Sequence, residues 1–214
     1  GHYALPGGEH KDFGNARNWH FLAASIWIIT GVIYWGYLFI SGVWQRLIPT
    51  SWDVFPGAVH DLVGYLTLQI PPESAFQPYD SLQQLTYAGV VFVLAPLMIL
   101  TALAMSPAFT NRFPRYVLLF GGRRQVARSL HFLGMVGFSI FIIIHVAMVA
   151  LVYFYRNVKL ITFGTTDVDL AAALTVFLSA LLFLLLFNII ITYLTLNHRV
   201  AVRKVLVSIL QPLI

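Results

Sequence analysis

From Leu130 to Val152 the chain carries no formal charge. At about 1.5 Å per helical residue, a run of that length crosses a hydrocarbon core roughly 30 Å thick. In lipid the backbone has no water to bond, so each N–H and C=O must be satisfied inside the segment, and the fold of such a run is a helix. Two of its residues do not belong in oil. His131 and His145 are separated by fourteen positions, which on an α-helix is about 21 Å along the axis and only about 40° around it. They share a face, one near the membrane surface and one well inside.

An intramembrane ionisable side chain is a functional candidate by default. Imidazole is a good ligand for haem iron, and its neutral ring is buried at far lower cost than an ammonium or a carboxylate. The spacing suits two flat ligands stacked across a bilayer on one side of one helix, and two haems fit that description. Each ring has a second nitrogen to satisfy. The carbonyl one turn back, Phe141 for His145, is placed to accept that N–H, fixing the tautomer and directing Nε2 at iron. Gly134 and Gly137 lie one and two turns beyond His131, where glycine either gives a porphyrin room to approach or lets a second helix pack closely.

Composition agrees with a membrane protein. Hydrophobic residues make up 59% and charged residues 10% of the 214, with a mean hydropathy of +0.80, which is too apolar for a soluble domain. There is no cysteine, so thiolate metal sites, iron–sulfur clusters and covalent c-type haem are excluded within this sequence, and any haem is non-covalent. The net charge of +5 sits in loops, as expected for membrane orientation, haem carboxylates or an acidic partner surface. There is no nucleic-acid motif.

The expected fold is all-α, a polytopic transmembrane bundle with four spans. Residues 1–18 read as an extramembrane loop broken by Pro6, Gly7, Gly8 and Gly14 and containing His2 and His10. The chain opens on Gly1 rather than Met, and a start inside a longer protein is expected. A core over 19–152 begins with a span from about Trp19 to Val43, anchored by tryptophans at its ends. His20 sits in its first turn, and if the spans alternate, His20 and His131 lie at one depth and form an axial pair. The proline-rich stretch after it includes 54–70, apolar but short, which reads as an amphipathic helix on the membrane surface. A second span follows over about Leu85–Met105, with Pro96 expected to kink it and the polar residues from Gln77 to Gln83 expected to cap it. Residues 153–169 read as a polar link, and 170–214 as an additional span with a basic tail.

Between Ser106 and Arg128 stand Arg112, Arg115, Arg123, Arg124 and Arg128, with no acid. One reading is the positive-inside rule; the other is that arginines, with Arg17 on the same side, pair with the propionates of a haem between His20 and His131. Both hold together. Four alternating spans collect ten of the thirteen Lys and Arg on that face, which by charge alone is the cytoplasmic one.

Trp19-His20-Phe21-Leu22-Ala23-Ala24, the run from Leu94 to Pro107, Leu119-Phe120-Gly121-Gly122-Arg123 and Ala127-Arg128-Ser129-Leu130-His131-Phe132 through His145 together resemble the bacterial di-haem cytochrome b family. That family includes the membrane subunits of nickel hydrogenases, thiosulfate reductase and respiratory formate dehydrogenase. The resemblance covers about Asn15 to Val152. It implies haem ligation by His20 with His131, and by His145 with a histidine on an earlier helix that has no counterpart here. The fourth ligand is then expected outside this sequence or on another chain, with His60 as the substitute within it. The resemblance also implies a periplasmic arginine face, against the charge count; propionate or partner binding accounts for arginines there. The last helix and basic tail look like versions associated with a molybdopterin oxidoreductase.

The function expected is a multi-pass cytochrome of the bacterial inner membrane, an electron-transfer subunit rather than a catalytic one. It links a quinone pool to a redox partner such as an iron–sulfur, molybdopterin or cytochrome c subunit. His60, Asp61, Tyr65 and Asp80 near the expected quinone position are either proton-exchange groups or ordinary interfacial residues. The rivals are a haem-free membrane anchor or assembly subunit, and a transporter or proton channel, for which the internal repeats are not evident.

Overall fold

The computed structural model describes residues 13–69 and 79–210, and these contain helices and turns with no strand. Histidines 2 and 10 and residues 70–78 lie outside the described residues. Among the described residues, four helices have the length and apolarity to cross a membrane, as the hydropathy requires: α1 (Phe13–Ser41), α4 (Ser81–Met105), α6 (Arg124–Leu151) and α8 (Leu170–Asn197). Shorter helices join or follow them: α2 (Trp44–Leu47), α3 (Val54–Leu66), α5 (Pro107–Arg112), α7 (Phe154–Phe163) and α9 (Arg199–Leu210). The first helix starts at Phe13, so 13–18 form its first turns instead of a loop.

Two compact units divide the chain. One comprises residues 35–157 and contains the end of α1 together with α2 to α6. Its centre is the α4–α6 pair, where small residues let the backbones approach: Thr101 and Ala104 on α4 and Ala127 and Gly134 on α6 are buried. Ala104 and Ala127 pack with Phe120, flanked by Met105, Tyr116 and Leu130. The outward faces of both helices carry exposed leucine, isoleucine and valine, the surface a lipid-facing helix presents.

Pro96 is accommodated by a change of helical pitch. It has no N–H for the Phe92 carbonyl, and its ring would crowd that carbonyl in a regular α-helix. Residues Gly89–Leu94 wind as a π-helix, and the Ala95 N–H reaches back to the Val90 carbonyl, before α-geometry continues over Ala95–Met105.

Helix α3 shows two faces. Val54 and Ala58 are buried while Asp61 and Tyr65 face α4, whereas Phe55, Val59, Leu62 and Leu66 form an exposed apolar stripe at one-turn spacing. That stripe suits the headgroup boundary of a bilayer. Asp80 is the N-cap of α4, accepting from the Gln83 N–H at 2.8 Å, and it also accepts the Tyr65 hydroxyl. Asp61 accepts from the Leu82 N–H at 3.3 Å. The two carboxylates thus satisfy helix-start donors that would otherwise be orphaned.

The other unit comprises residues 1–34 and 158–214. Within it the Trp19 indole donates to Thr195 Oγ1 at 3.1 Å and the buried Asn15 amide donates to the Arg199 carbonyl at 3.2 Å. These bonds tie the start of α1 to the end of α8 and the first residue of α9. The segment expected as a polar link contains α7, and the basic tail folds as α9, with Leu206 and Leu210 buried one turn apart. Asn157 closes α6 from beyond its end, donating to the carbonyls of Val149 and Val152.

Candidate functional site

The site is built on α6, a single uninterrupted helix from Arg124 to Leu151 that carries both His131 and His145. It begins after a turn that only glycine makes cheaply. Gly121 and Gly122 have φ of 63° and 71°, the left-handed region, and their N–H groups bond back to the carbonyls of Leu118 and Val117 at 3.0 Å. The Phe-Gly-Gly-Arg sequence therefore reverses the chain, and it sets Arg123 and Arg124 at the start of α6.

The half-buried His131 ring meets α4. Its Nδ1 lies 2.9 Å from Thr101 Oγ1, and Thr101 is fully buried. The same hydroxyl lies 2.7 Å from the Leu97 carbonyl oxygen. Gly134, one turn beyond, faces α4 as well. A Cβ there would stand 2.4 Å from Met98 Sδ, and one on Gly137 would stand 3.4 Å from Leu94 Cδ2. Met98 stands where a side chain at position 134 would lie, so the missing Cβ serves the close approach of α4 and α6, the packing reading of this glycine. That approach brings Thr101 to His131.

His145 is exposed on α6 among exposed Ile142, Ile144 and Val146. Its ring stacks on Phe141, with centroids 5.4 Å apart and planes 18° from parallel, and stands edge-on to Tyr87 at 6.2 Å. The carbonyl bond expected from Phe141 is replaced by this ring stack. An ionisable ring among otherwise apolar neighbours on a membrane helix is a functional candidate.

His20 occupies the second turn of α1, exposed and in ring contact with Phe21 at 6.1 Å. It belongs to the unit of residues 1–34 and 158–214, whereas His131 and His145 belong to the unit of residues 35–157. His60 is 90% exposed on α3, with its Nδ1 3.6 Å from an Asp61 oxygen, and no hydrogen bond or ring contact links it to His145.

Arg123 and Arg128 are exposed at the start of α6, and Arg17 is exposed near the start of α1. The first turn of α6 has no acid. A helix N-terminus already carries partial positive charge, so arginines there raise the local potential further and favour carboxylates. Arg124 is turned to a structural task, donating to Thr110 Oγ1 at 2.6 Å, and Arg128 donates to Gln125 Oε1 at 2.9 Å.

Tyr65 differs from the other polar groups near α3. Partial burial, and then the bond to Asp80 and that carboxylate's charge, push its phenol well above the usual tyrosine range. It stays neutral and donating.

Thr101 is the residue that sequence reasoning missed. A threonine in an apolar span reads as a helix-packing residue that bonds its own backbone, as Thr101 also does. The available signal was position: Thr101 near the end of one span and His131 near the start of the next face the same connecting loop.

A family model described as prokaryotic cytochrome b561 matches residues 2–164. A curated relative, YedZ1 of Azospira oryzae, carries the name of a protein-methionine-sulfoxide reductase subunit. It is 31% identical over 140 residues, which cover 65% of this chain and 67% of the relative. No solved structure matches the chain.

Proposed function

The chain belongs to the prokaryotic cytochrome b561 family, and from that premise we propose that it relays electrons through two stacked haems between the quinone pool and a redox partner subunit. Membership makes it a multi-pass bacterial membrane cytochrome that binds haem b and transfers electrons. The observation that carries the finer reading is that His131 and His145 stand on one continuous membrane helix, where fourteen positions amount to about 40° around the axis. In this reading His20 and His131 hold one haem. His145 holds the other, with its second ligand supplied from outside this sequence or, within it, by His60.

The residues present fit that cofactor. Thr101 engages Nδ1 of His131 and so leaves the ring's other nitrogen as the donor. His145 offers an imidazole beside two aromatic rings that match a porphyrin in shape and polarity. When bound, haem b supplies a one-electron couple whose potential follows its ligands and surroundings. The chain's own contribution is fourfold. The histidines fix where the irons sit; the apolar faces of α4 and α6 exclude water; Arg17, Arg123 and Arg128 hold propionates; and Gly134 sets the distance between the two helices.

The redox partner is a catalytic oxidoreductase subunit, a reading supported by the reductase-subunit name of the relative; the resemblance of the last helix and basic tail points to the molybdopterin kind, with iron–sulfur and cytochrome c subunits as the other classes. The quinone docks near the deeper haem, beside α3. A reduced short-chain quinone added to membrane vesicles containing the protein is expected to reduce its b haems without any other donor. Haems that dithionite reduces and quinol does not would remove the quinone from this reading.

A further inference from the structure

We propose that Thr101 is a positioning residue for the His131 ligand, fixing the tautomer and ring plane of that imidazole and raising its donor strength toward iron. The inference rests on the reading of His131 as an axial ligand and adds to it the residue that controls the ligand's chemistry.

The argument is one of proton placement. Thr101 Oγ1 has three polar neighbours: the Leu97 carbonyl oxygen at 2.7 Å, the Met98 carbonyl oxygen at 3.1 Å and His131 Nδ1 at 2.9 Å. The hydroxyl has one proton to give. Two oxygens 2.7 Å apart with no proton between them would repel, so the proton lies toward Leu97, the normal back-bond of a helical threonine. The hydroxyl then faces His131 with a lone pair, and His131 Nδ1 must bring the proton to that contact. The neutral ring is therefore the Nδ1–H tautomer, with its lone pair on Nε2.

The contact is also rigid. Thr101 is β-branched, fully buried and back-bonded, so its hydroxyl has little freedom to swing away. Helix α6 is held against α4 at this level by Ala104 with Ala127 on one side and Met98 with Gly134 on the other. A fixed acceptor at Nδ1–H pulls the proton partly off the ring, makes the imidazole a stronger electron donor and favours ferric over ferrous iron. His145 stands in contrast, its recorded neighbours being the rings of Phe141 and Tyr87.

The test uses the haem-loaded protein and two variants. Thr101→Val keeps the shape and removes the acceptor; Thr101→Ser keeps the acceptor. In Thr101→Val the haem count is expected to hold, while the potential of one haem rises by about tenfold in its ferric-to-ferrous ratio, about 59 mV for a one-electron couple. The ferric electron paramagnetic resonance signal of that haem alone is expected to shift, and Thr101→Ser is expected to restore both readings. Unchanged potentials in Thr101→Val, or a shift that Thr101→Ser fails to reverse, would overturn the inference. A measurement on the unaltered ferrous protein guards against a variant that does not fold. Its His131 Nδ1 proton is expected to exchange slowly with water and to show proximity to the Thr101 side chain by nuclear magnetic resonance, and absence of that proximity also overturns the inference. Failure of the underlying reading looks different: His131→Leu would then keep its full haem content, whatever Thr101 does.

Discussion

Replacing His131 by leucine is expected to remove one haem and leave the second in place, halving the haem per chain. The variant has a good prospect of folding, for a reason visible at Thr101. Its hydroxyl proton is given to the Leu97 carbonyl, so loss of the imidazole orphans an acceptor lone pair and no buried donor. Leucine also suits a half-buried position on a helix whose neighbours are largely apolar. The remaining haem, still ligated through His145, should keep its own potential and spectrum. Full haem content in His131→Leu would take His131 off the list of ligands.

The matching change at the deeper position, His145→Leu, is expected to remove the other haem and with it the reduction of the protein by quinol. His145 is exposed among apolar neighbours, and its contacts are a stack on Phe141 and an edge-on approach to Tyr87, so leucine costs little in packing. Dithionite should still reduce the haem that remains. Quinol should not, because in this account the quinone docks beside the deeper haem. Quinol reduction of His145→Leu at the unaltered rate would place the quinone elsewhere.

Much of this arrangement was legible in the residues, and the parts that were not share a physical cause. The four spans follow from hydropathy because a helix is what an apolar segment can be in lipid. The shared face of His131 and His145 follows from counting residues on a helix that then proved continuous. The short helices were harder. Residues 154–163 lie between two spans and are interrupted by Arg156, Asn157 and Lys159, so they read as part of a link, although Phe154, Val158 and Ile161 recur at helical spacing and Val158 is buried. In the tail, Val202, Leu206 and Leu210 fall four apart, a pattern that the basic residues around them obscured. Pro96 announced an irregularity, yet a proline tells where a hydrogen bond is missing and not how the preceding turn makes up for it; here the turn widens.

At the site, sequence identifies side chains with unusual chemistry and is silent about ordinary ones that direct them. Thr101 is such a residue: a common amino acid that matters because α4 and α6 pack closely enough for its hydroxyl to reach a histidine thirty residues away. Gly134 is a second case. Glycine beside a ligand histidine admits two readings, porphyrin room or helix contact, and the position of Met98 favours the contact. The carboxylates Asp61 and Asp80 are a third. Near an expected quinone a proton-carrying role stood beside the plainer reading as interfacial groups, and their bonds hold the start of α4.

The most direct test of the account is a count of haem in the protein isolated from its own membrane with whatever subunits accompany it. A reduced-minus-oxidised visible spectrum, combined with a pyridine haemochrome assay, gives the type and the number per chain. The account predicts two b haems, with His131→Leu and His145→Leu each removing one. A single haem would contradict the second site at His145, and no haem at all would contradict electron transfer through this chain.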